Sequence, residues 1–217
     1  MITRGLLNEE LNYLRREIAL LASRVEEDLG KALTVLRTGG KDLANEVMES
    51  GKMVDGLQLA IEDRALILIA TQQPVARDLR ELVMLFKITA NLERIGDYGI
   101  HLAKGALKLS DRPSFRSVAR IERMAKTGME MLKAAFSAYI EKDADAARNT
   151  AALDKTIDME HKALTKEILA IMKSQPQLIN AAARILRLSG YMERLGDQIK
   201  NICEGIVYMI EGIHENL

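Results

Sequence analysis

Two acidic pairs hold the chemistry this chain could perform. Glu93-Arg94-Ile95-Gly96-Asp97 returns 100 residues later as Glu193-Arg194-Leu195-Gly196-Asp197. On a helix, residues four apart project from the same face, so Glu93 meets Asp97 and Glu193 meets Asp197. Like charges at that spacing destabilise a bare helix by roughly 0.2–0.5 kcal/mol. An interior glycine costs about 1 kcal/mol more relative to alanine. Carrying both costs twice, in register, points to a use. Each pair continues an apolar stripe: Leu79, Leu82, Phe86 and Ala90 lead to Glu93, and Ile179, Ala182, Leu186 and Gly190 lead to Glu193. Carboxylates at the edge of a packed stripe need a cation or donors.

Neighbouring segments offer more oxygen and nitrogen donors. Asp154 and Asp158 are again four apart, with His161 three further on. An earlier segment offers Asp55, Gln58 and Glu62, but Gly51 falls where Asp154 has its counterpart, so the first-half set is poorer. His101 and Asn201, one turn past Asp97 and Asp197, are candidates for further ligands or for their supports. Oxygen-rich sets favour magnesium, manganese, calcium or iron, and a histidine tilts the choice toward iron, manganese or zinc. Ion pairing to lysines and arginines of adjacent helices is an equal competitor from spacing alone. A basic ridge (Arg80, Lys87 and Arg94, matched by Arg187 and Arg194) reads as a solvated face or as a docking surface for an acidic partner. No phosphate-cradling glycine loop and no nucleophile with a base in motif spacing is present. Glu211-Gly212-Ile213-His214 matches the Glu-x-x-His of di-iron bundles, but it stands alone where such bundles use two.

Long helices must carry these residues. Lys plus Arg and Asp plus Glu each number 31, so no bulk positive field exists to hold nucleic acid. Hydrophobic residues make up 48%, with three prolines and no tryptophan, which is the profile of a helical chain. Leu7, Leu11, Leu14, Ile18, Leu21, Val25, Leu29, Ala32 and Leu36 step by three and four along a first helix that Gly39-Gly40 stops. A second helix is expected from about Asp42 to Thr71, and a third from about Val75 to Lys108 with Pro74 in its first turn. After a linker at Ser110–Ser114 the order repeats. A fourth helix ends at a hinge around Glu141-Lys142-Asp143, a fifth runs to about Lys173, and a sixth follows Gln175-Pro176 to about Met209. The lone Cys203 reads as a core residue of a reducing compartment, and neither a signal region nor a membrane span is expected.

Gln72-Gln73-Pro74-Val75-Ala76-Arg77-Asp78-Leu79-Arg80, with Asn91-Leu92-Glu93-Arg94-Ile95-Gly96-Asp97, resembles the PhoU signature, and Glu193–Asp197 with Asn201-Ile202 is similar to its second copy. The resemblance spans essentially the whole chain. It implies an all-α fold of six long helices in two pseudo-symmetric three-helix bundles, residues 1–109 and 115–217. It implies metal clusters, iron or zinc in some relatives, on Glu93 with Asp97, Glu193 with Asp197, and Asp154 with Asp158. A fourth motif keeps Asp55 but has Gly51 in place of its first acid. Asp78, Arg94 and Arg194 are further signature positions. The resemblance also implies a cytoplasmic regulatory adaptor, commonly dimeric. Such an adaptor links the phosphate ABC transporter to a membrane sensor kinase, and reaches the membrane only through these partners. The competing reading is a ferritin-like carboxylate-bridged enzyme or metal store.

Overall fold

The computed structural model describes residues 2–109 and 115–217, with side chains from 5 to 109 and from 117 onward. The expected linker at Ser110–Ser114 lies outside the described residues. Among the described residues every regular element is helical: α1 (Ile2–Thr38), α2 (Lys41–Gln72), α3 (Ala76–Leu107), α4 (Phe115–Glu141), α5 (Ala144–Ala152), α6 (Asp154–Ser174) and α7 (Ile179–Glu211).

The stops are those the residue types dictate. Gly39 turns the chain out of α1 at φ 71°, and Gly212 closes α7 at φ 78°, a left-handed conformation that costs glycine little. Gln73 takes the same conformation after α2, its N–H reaching the Ile69 carbonyl. At the hinge, Lys142 turns at φ 57° and the Asp143 carboxylate accepts from the Ala146 N–H, capping α5.

Two expectations need correction. Pro74 does not enter the first turn of α3. It is buried in the connection, and α3 starts at Ala76 after the extended Val75. In the second half Pro176 does begin a turn, a short 3-10 segment at Pro176–Leu178. The fifth helix is also not continuous. At Leu153 the backbone tightens, the Leu153 N–H bonding the Thr150 carbonyl three residues back, so one rod becomes α5 and α6. That break makes Asp154 the first residue of α6, where a helix N-terminus favours negative charge.

The first half packs α1, α2 and α3 together, and the second packs α4, α5–α6 and α7. The halves meet mainly through α3 against α7, aided by α1 against α4. Both α3 and α7 are therefore buried on most of their circumference: Leu82, Leu85, Ile88, Leu92, Ile95 and Leu102 on one, Ile185, Leu188, Leu195, Ile199, Ile202 and Ile206 on the other. Glycines set the close approaches, with Gly96 against Val25 and Val54, and Gly196 against Ile157 and Asp154. The two signature glycines thus seat α2 on α3 and α6 on α7.

Candidate metal centres

The second-half acids gather where α6 crosses α7. Asp154 is buried, Asp158 and Glu193 are half-buried, and Asp197 is exposed. A Cβ on Gly196 would lie 2.2 Å from Asp154 Oδ1, so this glycine makes room for a carboxylate. That Oδ1 is buried without a hydrogen-bond partner. Burial, and then the neighbouring charges of Asp158, Asp197 and Glu193, push the Asp154 pKa up to about 6, against a lowering by Lys200. Glu193 and Asp197 are raised as well, first by burial, then by Asp197 and Asp158 respectively. His161 reaches this group anchored, its Nδ1 2.7 Å from Ser189 Oγ, and its charge favours ionised Glu193.

The first-half counterpart is Glu93, Asp97 and Asp55. Burial and the two aspartates raise Glu93. The missing acid leaves no gap: a Cβ on Gly51 would lie 2.6 Å from Ile100 Cδ1, so an isoleucine occupies that space. The residue 100 further on is Lys200, the cation beside Asp154. One half is built for charge and the other has been partly filled with hydrocarbon.

The further candidates separate. Glu62 accepts from Gln58 and from Thr89 Oγ1, both at 2.9 Å, and is engaged within the α2–α3 contact. His101 lies against the Tyr191 ring at 4.8 Å, and Asn201 lines the α3–α7 groove. Asp78 sits in the first turn of α3, near Arg15 and Lys142 rather than near Glu93. Arg94 and Arg194 are exposed beside the acids and meet around Tyr98. Lys200, Ser189 and Asp28 did not stand out in sequence. Asp28 is buried, and Ser50 beside Gly51 donates to it. Its signal was an aspartate on the stripe of Leu21, Val25 and Ala32.

Glu10, Glu27, Glu81, Glu122, Glu160 and Glu211 all hold lysine or arginine within ion-pair distance. Among the described residues none of Glu93, Asp97, Asp154, Asp158, Glu193, Asp197 or Asp55 does so. Nor do three Asp, Glu, His or Cys side chains form a set that would hold an ion as they stand, again among the described residues. The second half supplies the donor types and an orphaned buried oxygen. The first half does not fit equally, because Ile100 fills one corner.

These features define a class: an all-helical, internally duplicated protein with an acid-rich seam in each half. The PhoU domain model matches residues 18–106 and again 121–206. The chain belongs to the PhoU family. It is 30% identical to the phosphate-specific transport system accessory protein PhoU homolog of Clostridium acetobutylicum, over 97% of each chain. It is also 30% identical to the phosphate-specific transport system accessory protein PhoU of Escherichia coli, over 96% of this chain and 86% of that one. Its fold matches the crystal structure of the phosphate transport system regulatory protein PhoU from Streptococcus pneumoniae with TM-score 0.91 at 31% identity, covering 97% of this chain and all of that one. The crystal structure of PhoU from Pseudomonas aeruginosa matches with TM-score 0.90 at 29% identity, covering 95% and 99%.

Proposed function

We propose that this protein is a metal-binding regulatory adaptor of phosphate homeostasis, acting on a phosphate ABC transporter and a membrane sensor kinase rather than as an enzyme. The observation that carries the metal reading is the gathering of Asp154, Asp158, Glu193 and Asp197 where α6 meets α7, with Asp154 Oδ1 buried without a hydrogen-bond partner, and with burial and then the neighbouring acids raising the pKa of Asp154, Glu193 and Asp197. Asp154, Asp158, Glu193 and Asp197 would hold the ion, with His161 as a nitrogen donor. Asp55, Glu93 and Asp97 form a weaker first-half site. A bound iron, zinc, manganese or magnesium ion would supply positive charge that lets these acids ionise together and braces α6 against α7. The names of the relatives support the adaptor reading. Among the described residues no helix is long and apolar enough to cross a membrane, so contact with a membrane complex runs through protein surfaces. A cytoplasmic homodimer belongs to the same reading. The exposed Leu59, Leu66 and Ile67 of α2 offer apolar area for it, and sedimentation of Ile67→Glu as an unchanged dimer would count against that face.

The test is metal content. Replacing Asp154 and Asp197 together with alanine should remove most bound metal, read by elemental analysis, while circular dichroism keeps its helical signal. Equal metal in both proteins would sink the assignment.

A further inference from the structure

The α3–α7 groove has two ends related by the internal repeat, and their charges have diverged. One end is a cleft of about 370 Å³ where Lys87 and Arg94 face Glu204 and Glu215. The other is a cleft of about 470 Å³ lined by His101, Lys104, Lys108, Arg184, Arg187 and Tyr191. Lys104 stands 100 residues before Glu204, and Arg187 the same distance after Lys87, so the two clefts share a frame. Among the described residues no carboxylate lines the second cleft, and none of its cations takes part in an ion pair. Arg15, Arg37, Arg64, Arg120, Arg123 and Arg148 all do. In a chain of zero net charge, four cations in one concavity with no carboxylate partner among the described residues are a distinct feature.

The cleft is also built. Its floor exists because residue 105 is glycine: a Cβ there would lie 2.4 Å from Leu188 Cδ2. Arg184 reaches across from α7 and donates from Nη1 to the Lys108 carbonyl, which fixes one guanidinium over the groove. Tyr191 is stacked on Tyr98 at 6.1 Å and touches the His101 ring, making one wall aromatic and stiff.

We propose that this cleft binds an oligophosphate, a chain of two or more phosphoryl groups, free or carried by a nucleotide. Lys104 on α3 with Lys108 at its C-cap, and Arg184 with Arg187 on α7, form two cation pairs, each about one helical turn long and set on facing helices. A single tetrahedral anion meets one such pair, whereas a phosphate chain can meet both. Guanidinium groups take phosphate oxygens two at a time and ammonium groups add point charge. The site is independent of the acid seams, since Asp97, one turn before His101, is not among its lining residues.

Calorimetric titration of the full chain, kept in chelator so that no metal captures the ligand, decides the matter. Inorganic triphosphate should bind at least about tenfold more tightly than orthophosphate or sulfate, and more weakly as salt rises. Lys104→Gln with Arg187→Gln should lose about tenfold or more in affinity with unchanged circular dichroism. Lys87→Gln with Arg94→Gln, in the related cleft, should leave affinity unchanged. ATP binding more tightly than triphosphate would assign the nucleotide form, and equal binding the inorganic chain. Absence of triphosphate binding at millimolar concentration, equal loss from both double variants, or capture of a poly-glutamate peptide in place of triphosphate would overturn the proposal.

Discussion

At the scale of single residues, Asp154 is a tightly constrained carboxyl. Its Oδ1 is enclosed without a donor, and its pKa is pushed up to about 6. A carboxyl whose folded pKa is raised holds its proton more tightly in the native state. Its contribution to stability is therefore complete below the ordinary aspartate range and is lost as pH rises to about 6. In chelated protein at pH 8, Asp154→Asn should stabilise by about 1–3 kcal/mol, an advantage that fades near pH 4. Urea titrations at the two pH values check this, and a destabilised variant at pH 8 would mean the carboxylate has a needed partner. The same substitution should remove the stabilisation that added metal gives the parent protein. Gly196→Ala probes the room around the acid. Its Cβ would press on Asp154 Oδ1 and lie 3.1 Å from Ile157 Cδ1. It should cost about 1–3 kcal/mol by overpacking and weaken metal uptake, whereas Gly96→Ala, 3.6 Å from the nearest side-chain atom, should stabilise by up to about 1 kcal/mol through helix propensity.

At the scale of elements, the long helices were legible because their apolar residues recur at helical spacing and their ends carry glycine or proline. The acid pairs were legible because one chain repeats them in register. The break at Leu153 was not, since Ala151-Ala152-Leu153-Asp154 contains no glycine or proline and the two segments it separates each pack on α7. Nor was the clasp between α1 and α3, because its partners lie 66 residues apart. Arg15 Nε and Nη2 donate to Glu81 Oε1 and Oε2 at 2.5 and 2.7 Å, with Glu81 only 4% exposed. Removing one partner strands a buried charge, so Arg15→Ala should cost about 3 kcal/mol. Arg15→Met with Glu81→Leu replaces both by hydrocarbon and should come within about 1 kcal/mol of the parent. Thermal unfolding of the three proteins compares them, and equal losses in single and double variants would show that the pair itself, not the stranded acid, sets the cost.

At the scale of the whole molecule, duplication explains what each half lacks alone. The family model matches twice, yet α3 and α7 are each buried on most of their circumference because each covers a face of the other. Met84 meets Gly205 and Gly105 meets Leu188 across that seam. Two halves joined through apolar helices should unfold as one unit, giving a single calorimetric transition whose enthalpy matches its van't Hoff value. Residues 1–109 expressed alone would expose the α3 face that α7 covers. The internal repeat makes α3 the best available substitute for α7, so the half-chain should form a dimer with α3 against α3, seen by light scattering. A charge on that face, Met84→Glu, should keep the half-chain from pairing and leave it mostly unfolded. A monomeric half-chain as stable as the full protein would instead mean that each three-helix unit completes its own core, and that α3 against α7 is a contact between finished domains.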